Sequence, residues 1–261
     1  MSSSQETSPL DFFLYELVKN VPGKILDYGC GEGRFISFCR ERDLKVFGAD
    51  SYQGIYKSWG GSDESSNVYL IENNLTPFPD AEFQLIVSNM VFEHIKPNQV
   101  AGVAKEITRI LSQNGSGINI FPTKRTFIEG HIGVPAVHLL RNQSKIQEIY
   151  LHICFLLGFG YWRSESKRGF RSTISRNDWV KNNIENLENT IFYNSPKIWK
   201  RYFIDFGCTV ENVSYLLVIF AIPKPLKSIV EKFCKMNSVR KILNFLVELR
   251  LGVIIKITKN N

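Results

Sequence analysis

The sequence predicts an α/β fold: a doubly wound, mostly parallel, seven-stranded sheet with helical insertions covering one edge. Three observations predict it. Short apolar runs alternate with helical patterns through the first half of the chain, the rhythm of βαβ units. A glycine turn, Gly29-x-Gly31-x-Gly33, follows the first apolar run directly. Carboxylates, Asp27 and Asp50, stand at the ends of the first two runs.

The elements follow in order. Residues 1–9 are polar and read as a disordered N-terminus, leaving 10–261 as a single domain. Asp11–Asn20 reads as a helix ended by Pro22-Gly23, and Lys24–Tyr28 as the first strand. Arg34–Arg42 is a helix, Lys45–Ala49 the second strand, Gly60-Gly61-Ser62 a loop and Val68–Glu72 the third strand. Phe83–Asn89 is apolar enough for burial on both faces as the fourth strand. Asn98–Leu111 keeps Val100, Val103, Ala104, Ile107, Ile110 and Leu111 on one helical side. Asn114-Gly115 stops that helix, and Gly117–Phe121 is the fifth strand. Residues 123–195 lose the rhythm and read as a helical insertion. The core resumes with a helix at Pro196–Phe206 and a strand near Thr209–Tyr215. Leu216–Ile222 can be the last strand, but no turn residues separate it from Tyr215. A helical excursion over 216–250, followed by a β-branched strand at Gly252–Thr258, is favoured. The whole is Rossmann-like.

Composition narrows the function. No run among the 261 residues approaches the ~20 apolar residues of a membrane span. The N-terminus lacks the charged start and apolar stretch of a secretory signal. Cys30, Cys39, Cys154, Cys208 and Cys234 are scattered, which argues against a disulfide framework or zinc site and for a cytoplasmic location. The net charge of +7 resides in the C-terminal stretch. There Lys224, Lys227, Lys232, Lys235, Arg240, Lys241, Arg250, Lys256 and Lys259 face only Glu231 and Glu248. Such a stripe is either a solvated helix face or a contact for an anionic surface. Peripheral contact with the inner, anionic face of a membrane through 224–261 is one expectation. Nucleic acid is disfavoured, since no separate RNA-binding module is present.

The glycine turn suggests the ligand. In an open α/β sheet, ligands bind beyond the carboxyl ends of the strands, where strand order reverses. The spacing is G-x-G-x-G rather than the dinucleotide G-x-G-x-x-G. Asp27 beside the turn would repel a pyrophosphate and suits a cationic ligand. Asp50 can accept both hydroxyls of a ribose.

These residues resemble class I S-adenosylmethionine-dependent methyltransferases of the small bacterial type, over roughly Lys24 to Phe121. Leu26-Asp-Tyr-Gly-Cys-Gly-Glu-Gly33 is similar to the family's first motif. Thr76-Pro-Phe-Pro-Asp80-Ala-Glu-Phe83, Val91-Phe-Glu-His94-Ile and Glu106-Ile-Thr-Arg-Ile-Leu111 are similar to later ones. The resemblance implies S-adenosyl-L-methionine as cofactor, with Asp27 and Gly29 facing its methionine part and Cys30, Gly31 and Gly33 in the same loop. It places Asp50 and Ser51 at the ribose, Asn73 or Asn74 beside the adenine, and Ser88 and Asn89 on the floor near the methyl group. Gln84 stands where the family has Asp, at the strand end remote from the ligand.

Transfer to a hydroxyl calls for a base, and histidine suits neutral pH. His94 follows the fourth strand and can serve the substrate or merely contact a helix. Glu129 can orient His131 and raise its basicity, which makes His131 the leading candidate base. The Glu-x-His segment with Pro135 and His138 resembles a subset of bacterial methyltransferases associated with surface glycans. Glu129, His131 and His138 fix no ligand geometry in sequence, so no metal is assigned. His152, in an apolar run, reads as core. Tyr150, Phe155, Phe159, Tyr161 and Trp162 can wall an acceptor pocket or form ordinary core. Arg163, Lys167, Arg168 and Arg171 can meet an anion or simply be solvated. The acceptor expected is a small molecule, sugar or glycan hydroxyl; the alternative is a lipid-like acceptor at a membrane surface.

Overall fold

The computed structural model describes residues 8–51, 67–141, 144–160 and 175–260. The strands are β1 (Ile25–Tyr28), β2 (Phe47–Asp50), β3 (Val68–Leu70), β4 (Phe83–Asn89), β5 (Leu111–Phe121), β6 (Cys208–Asn212) and β7 (Val253–Lys259). They form one seven-stranded sheet in the order β3-β2-β1-β4-β5-β7-β6. Only β7 runs antiparallel, to both β5 and β6. The order reverses between β1 and β4, so their carboxyl ends open the crevice.

Alternating side chains feed two cores. Leu26, Tyr28, Ile86, Val253, Ile255 and Ile257 enter one; Ile25, Leu85, Val87, Ile118, Ile120 and Ile254 enter the other. The first core is closed by α3 (Val100–Ile110) and α6 (Pro196–Asp205). Val100, Val103, Ala104, Ile107 and Ile110 pack there against Trp199 and Phe203. At about 1.5–3 kcal/mol per large buried side chain, this stripe holds α3 far more strongly than helix propensity does. The second core is closed by α1 (Pro9–Val18), α2 (Arg34–Arg40) and α7 (Tyr215–Ala221).

Between β5 and α6 lie α4 (Ser144–Leu156) and α5 (Arg176–Asn189), with a short 3-10 turn at Val137–Leu140. They share a third core of their own, including Ile132, Val134, Leu151, Trp179, Leu187 and Tyr193. After α7, the helices α8 (Lys224–Phe233) and α9 (Asn237–Arg250) complete the excursion before β7. Leu216–Ile222 is therefore not a strand.

Several expected bounds move. Ser8 and Pro9 are not disordered: the Ser8 hydroxyl accepts from Leu10 N–H, Asp11 reciprocates at Ser8 N–H, and Pro9 opens the helix. Residues 1–7, and the loop marker Gly60-Gly61-Ser62, lie outside the described residues. The helix expected to run to Leu111 stops at Ile110, because Leu111 already pairs with Phe83. Asn114-Gly115 consequently interrupts β5 rather than the helix. Asn114 is left-handed (φ 59°), and a Cβ on Gly115 would meet Ser112 O at 2.8 Å. The third strand ends early because Glu72 and Leu75 close a tight turn by two hydrogen bonds. His152 is half-buried, not packed in the core. Lys259 is withdrawn from the basic stripe: its Nζ donates to Thr108 O (2.8 Å) and Leu111 O (2.7 Å), capping the end of α3.

Candidate active site

The loop after β1 is built from backbone. Gly29, Gly31 and Gly33 have φ of 80°, 54° and 74°, the left-handed region where a side chain costs about 1 kcal/mol or more. Gly29 is constrained further, since a Cβ there would lie 2.3 Å from Val91 Cγ2. Thus the loop rests directly on the segment that follows β4. Gly29 N–H and Cys30 N–H donate to Ala49 O (2.7 and 3.2 Å). Gly31 N–H donates to Asp50 Oδ2 (2.8 Å), tying the loop to the end of β2. Ser51 follows at once, half-buried.

Asp27 is buried, and its carboxyl is pushed up to about 7 by burial first, then by the charges of Asp50 and Asp11. Arg34, bound to Asp11 at 3.1 Å, opposes that rise. A crevice that gathers carboxylates at this cost fits a cation and disfavours a phosphate. On the floor, Ser88 Oγ and Asn89 Oδ1 are buried with no hydrogen-bond partner among the described residues. A glycine cradle, acids at the ends of β1 and β2, and buried polar atoms at the end of β4 are chemically suited to S-adenosylmethionine, which carries an ammonium, a sulfonium and a ribose.

Asn73 and Asn74 belong to a different construction. Both are left-handed (φ 51° and 65°) at the centre of the Glu72–Leu75 turn. Asparagine suits that geometry. Asn73 is exposed, and Asn74 Nδ2 lies 3.5 Å from where a Gly102 Cβ would stand, against α3. The turn is by itself a reason for asparagine at both positions. Gln84 accepts from Ser112 Oγ (3.0 Å) at the remote end of β4.

The turn after β4 is built from side chains. A 3-10 turn at Phe92–His94 carries Glu93 and His94. His131 approaches from the insertion, its Nε2 3.1 Å from His94 Nε2 and 3.7 Å from Glu93 Oε1. Glu93 Oε1 is 4.0 Å from His94 Nε2. Each imidazole is held from behind. His131 Nδ1–H donates to Glu129 Oε1 (2.7 Å), and His94 Nδ1–H to Thr190 O (2.7 Å). Glu129 also accepts from Tyr193 OH (2.5 Å) and, through Oε2, from His131 N–H and Ile132 N–H. Burial would raise the Glu129 pKa, but these hydrogen bonds outweigh it and hold the group below the usual carboxylate range. Among the described residues the Glu93 carboxyl oxygens have no hydrogen-bond partner, and burial lifts this carboxyl to about 7. His94 is pulled down to about 4 by burial and by the neighbouring His131.

The segment after α5 straps this turn in place. Besides the Thr190 contact, Phe192 N–H donates to Glu93 O (2.6 Å) and Asn194 Nδ2 to Ile95 O (2.6 Å). Arg141 anchors the strap through Ile191 O (2.5 Å).

The structure thus gathers His94, His131 and Glu129, all expected from sequence, and adds Glu93, Tyr193 and Thr190. A Glu-His pair directly after a strand was the available signal for Glu93; Tyr193 and Thr190 left none. His138 stands apart, its Nε2 against Lys124 O (3.1 Å), so Glu129, His131 and His138 do not form a ligand set. Tyr150 donates to Pro135 O, and Phe155 packs on Trp179, both within the insertion's core. Phe159 is exposed. Tyr161, Trp162, Arg163, Lys167, Arg168 and Arg171 lie outside the described residues.

Comparison with known proteins agrees with this crevice. Residues 26–118 match a family model described as a methyltransferase domain. No curated protein matches the chain by sequence. Among solved structures, it is similar to a SAM-dependent methyltransferase from Archaeoglobus fulgidus at 13% identity and TM-score 0.47, covering 96% of this chain and 93% of that one. An S-adenosylmethionine-dependent methyltransferase from Mesorhizobium loti aligns at 14% identity and TM-score 0.48, covering 94% and 95%. The span 26–118, which matches a methyltransferase domain, contains the glycine cradle, Asp27, Asp50 and the Glu93-His94 turn.

Proposed function

We propose that the enzyme methylates a hydroxyl oxygen of a small molecule, sugar or glycan end. The observation that carries this is the Glu129–His131 pair, held at 2.7 Å beside His94 and Glu93 at the carboxyl end of β4. Bound in the glycine cradle, S-adenosylmethionine supplies an electrophilic methyl group on sulfur. The chain's own task is then to orient an acceptor and withdraw its proton. Glu129 fixes the His131 tautomer and favours a proton on the ring, so Nε2 is the acceptor-side base.

The test is product analysis after incubation with S-adenosylmethionine and pools of free glycans, sugar nucleotides and small alcohols. An ether one methyl heavier supports the reading; a methyl on nitrogen or carbon overturns it. His131→Ala should lower turnover by about 10²–10⁴-fold with S-adenosylhomocysteine affinity kept, and unchanged turnover would remove His131 as base.

A second reading, a lipid-like acceptor at an anionic membrane surface, is favoured by α8 and α9. No residue of α8 is buried. Leu226, Ile229 and Phe233 are exposed on α8, and Ile242, Phe245 and Leu246 on α9. Lys224, Lys227, Lys232 and Lys241 flank them, also exposed. Amphipathic basic helices of this kind lie in a headgroup layer. No described helix is long and apolar enough to cross a membrane. Co-sedimentation with anionic vesicles should occur and weaken with salt; absence of binding at low salt would sink the lipid reading.

A further inference from the structure

We infer that Glu93, His94 and His131 form a binding site for one divalent transition-metal ion of the zinc or manganese class. Their ligand atoms all lie within 4.8 Å of one another. Metal–nitrogen and metal–oxygen distances of about 2.0–2.2 Å imply tetrahedral ligand separations of about 3.3–3.6 Å. The observed 3.1, 3.7 and 4.0 Å bracket that value.

Protonation chemistry points the same way. The partner of His94 Nδ1 is a carbonyl, and that of His131 Nδ1 is a carboxyl group whose oxygens already accept from His131 N–H, Ile132 N–H and Tyr193 OH. Neither can donate, so each neutral ring carries its hydrogen on Nδ1 and turns an Nε2 lone pair inward. Two lone pairs thus face each other at 3.1 Å. Beside them is the Glu93 carboxylate, whose side chain is fully buried and whose two oxygens lack any hydrogen-bond partner among the described residues. Three acceptors aimed at one point are an arrangement that a bound cation satisfies.

The surroundings match a metal centre rather than a proton relay alone. Ligating histidines usually give their other nitrogen to a carboxylate or a backbone carbonyl, and here one does each. Two imidazoles and one carboxylate suit zinc, manganese or iron better than magnesium or calcium. Three protein ligands leave a fourth position open, the mark of a reactive rather than a structural site.

The role of the ion rests on the hydroxyl-methylation reading above and replaces the His131 base in it, because a metal-bound Nε2 has no lone pair left to take a proton. An acceptor oxygen binds the open position and its O–H proton passes to solvent. The oxygen lone pair forms the bond to the methyl carbon as the methyl–sulfur bond breaks. The electron pair stays on sulfur, leaving the neutral thioether. No oxidant or reductant is involved.

The test uses full-length, tag-free protein stripped with a chelator and titrated with cobalt(II), with zinc as competitor. One cobalt per chain should bind, with visible d–d bands that zinc abolishes. His94→Ala and His131→Ala should each weaken binding by at least about 100-fold, and Glu129→Gln by about 10–100-fold. Wild-type protein that binds S-adenosylhomocysteine yet takes up no stoichiometric cobalt or zinc overturns the proposal, whatever the variants do. Equal turnover of metal-free and metal-loaded enzyme overturns the role assigned to the ion and leaves O-methylation standing. Stoichiometric cobalt with a product methylated on nitrogen or carbon keeps the site and removes the hydroxyl reading.

Discussion

The turn after β1 and the turn after β4 touch at Gly29 and Val91, yet they are made in opposite ways. The first is a backbone device: left-handed glycines, main-chain donors and a side chain excluded by a 2.3 Å approach. The second is a side-chain device, in which two imidazoles and two carboxylates converge from β4 and the insertion. The first can be written within a few consecutive residues, as suits the cofactor site we propose for it. The second needs partners far apart in the chain, as suits a site proposed to meet the acceptor.

Four measurements would break or sharpen that contrast. The largest effect is expected at Glu129, which accepts four hydrogen bonds. Glu129→Ala strands buried donors and should lower unfolding stability by about 3–5 kcal/mol in denaturant titration. Folded protein should still bind S-adenosylhomocysteine, and a parallel loss of that affinity would mean the two turns are one device. Next, Gly29→Ala adds a Cβ into Val91 at positive φ and should cost about 2–4 kcal/mol. Gly33→Ala, where the nearest atom is Ile36 Cδ1 at 3.8 Å, should cost only about 1 kcal/mol. Similar melting shifts for the two would refute the close approach.

Asp50→Ala should weaken S-adenosylhomocysteine by about 10–100-fold by calorimetry, since it loses the Gly31 anchor and a ribose acceptor together. The smallest effect is a pH dependence. Asp27 is protonated in both states below about pH 4, and between there and about 7 only the folded protein keeps the proton. Its share of stability therefore falls as pH rises through that window. An ammonium ligand selects the ionised form, so affinity should rise about tenfold from pH 6 to 8. Asp27→Asn should flatten the rise; an unchanged slope would take Asp27 away from the ligand.

What could be read beforehand follows the same divide. Asp27, Gly29, Gly31 and Asp50 were legible because their arrangement is local and each residue type has one physical use there. Glu129 and His131 were legible for a similar reason, two positions apart in the chain. Glu93 was quoted only as part of a motif, since its importance depends on His131 arriving from a distant segment. Thr190 acts through its carbonyl, 96 positions from His94, and no residue type announces that. Among the elements, the end of α3 was misplaced because Leu111 continues the apolar stripe while its backbone has already joined β5. For Asn73 or Asn74 the resemblance implies an adenine contact, and the left-handed turn that both occupy is a second, independent reason for asparagine there. Ser8 and Pro9 wrote a helix start that low hydrophobicity obscured.

The strap over 190–194 holds the Glu93-His94 turn largely through main-chain groups, the carbonyl of Thr190 and the amide of Phe192. Main-chain groups are the same whatever side chain is attached. The side chains of Thr190 and Phe192 make neither contact; they bond Asn186 and face Arg141 instead, so a substitution that keeps the strap's backbone in place leaves the histidine its orientation. An enzyme built this way can be retuned toward a new acceptor by rewriting the strap, residue by residue, without first dismantling the chemistry beneath it.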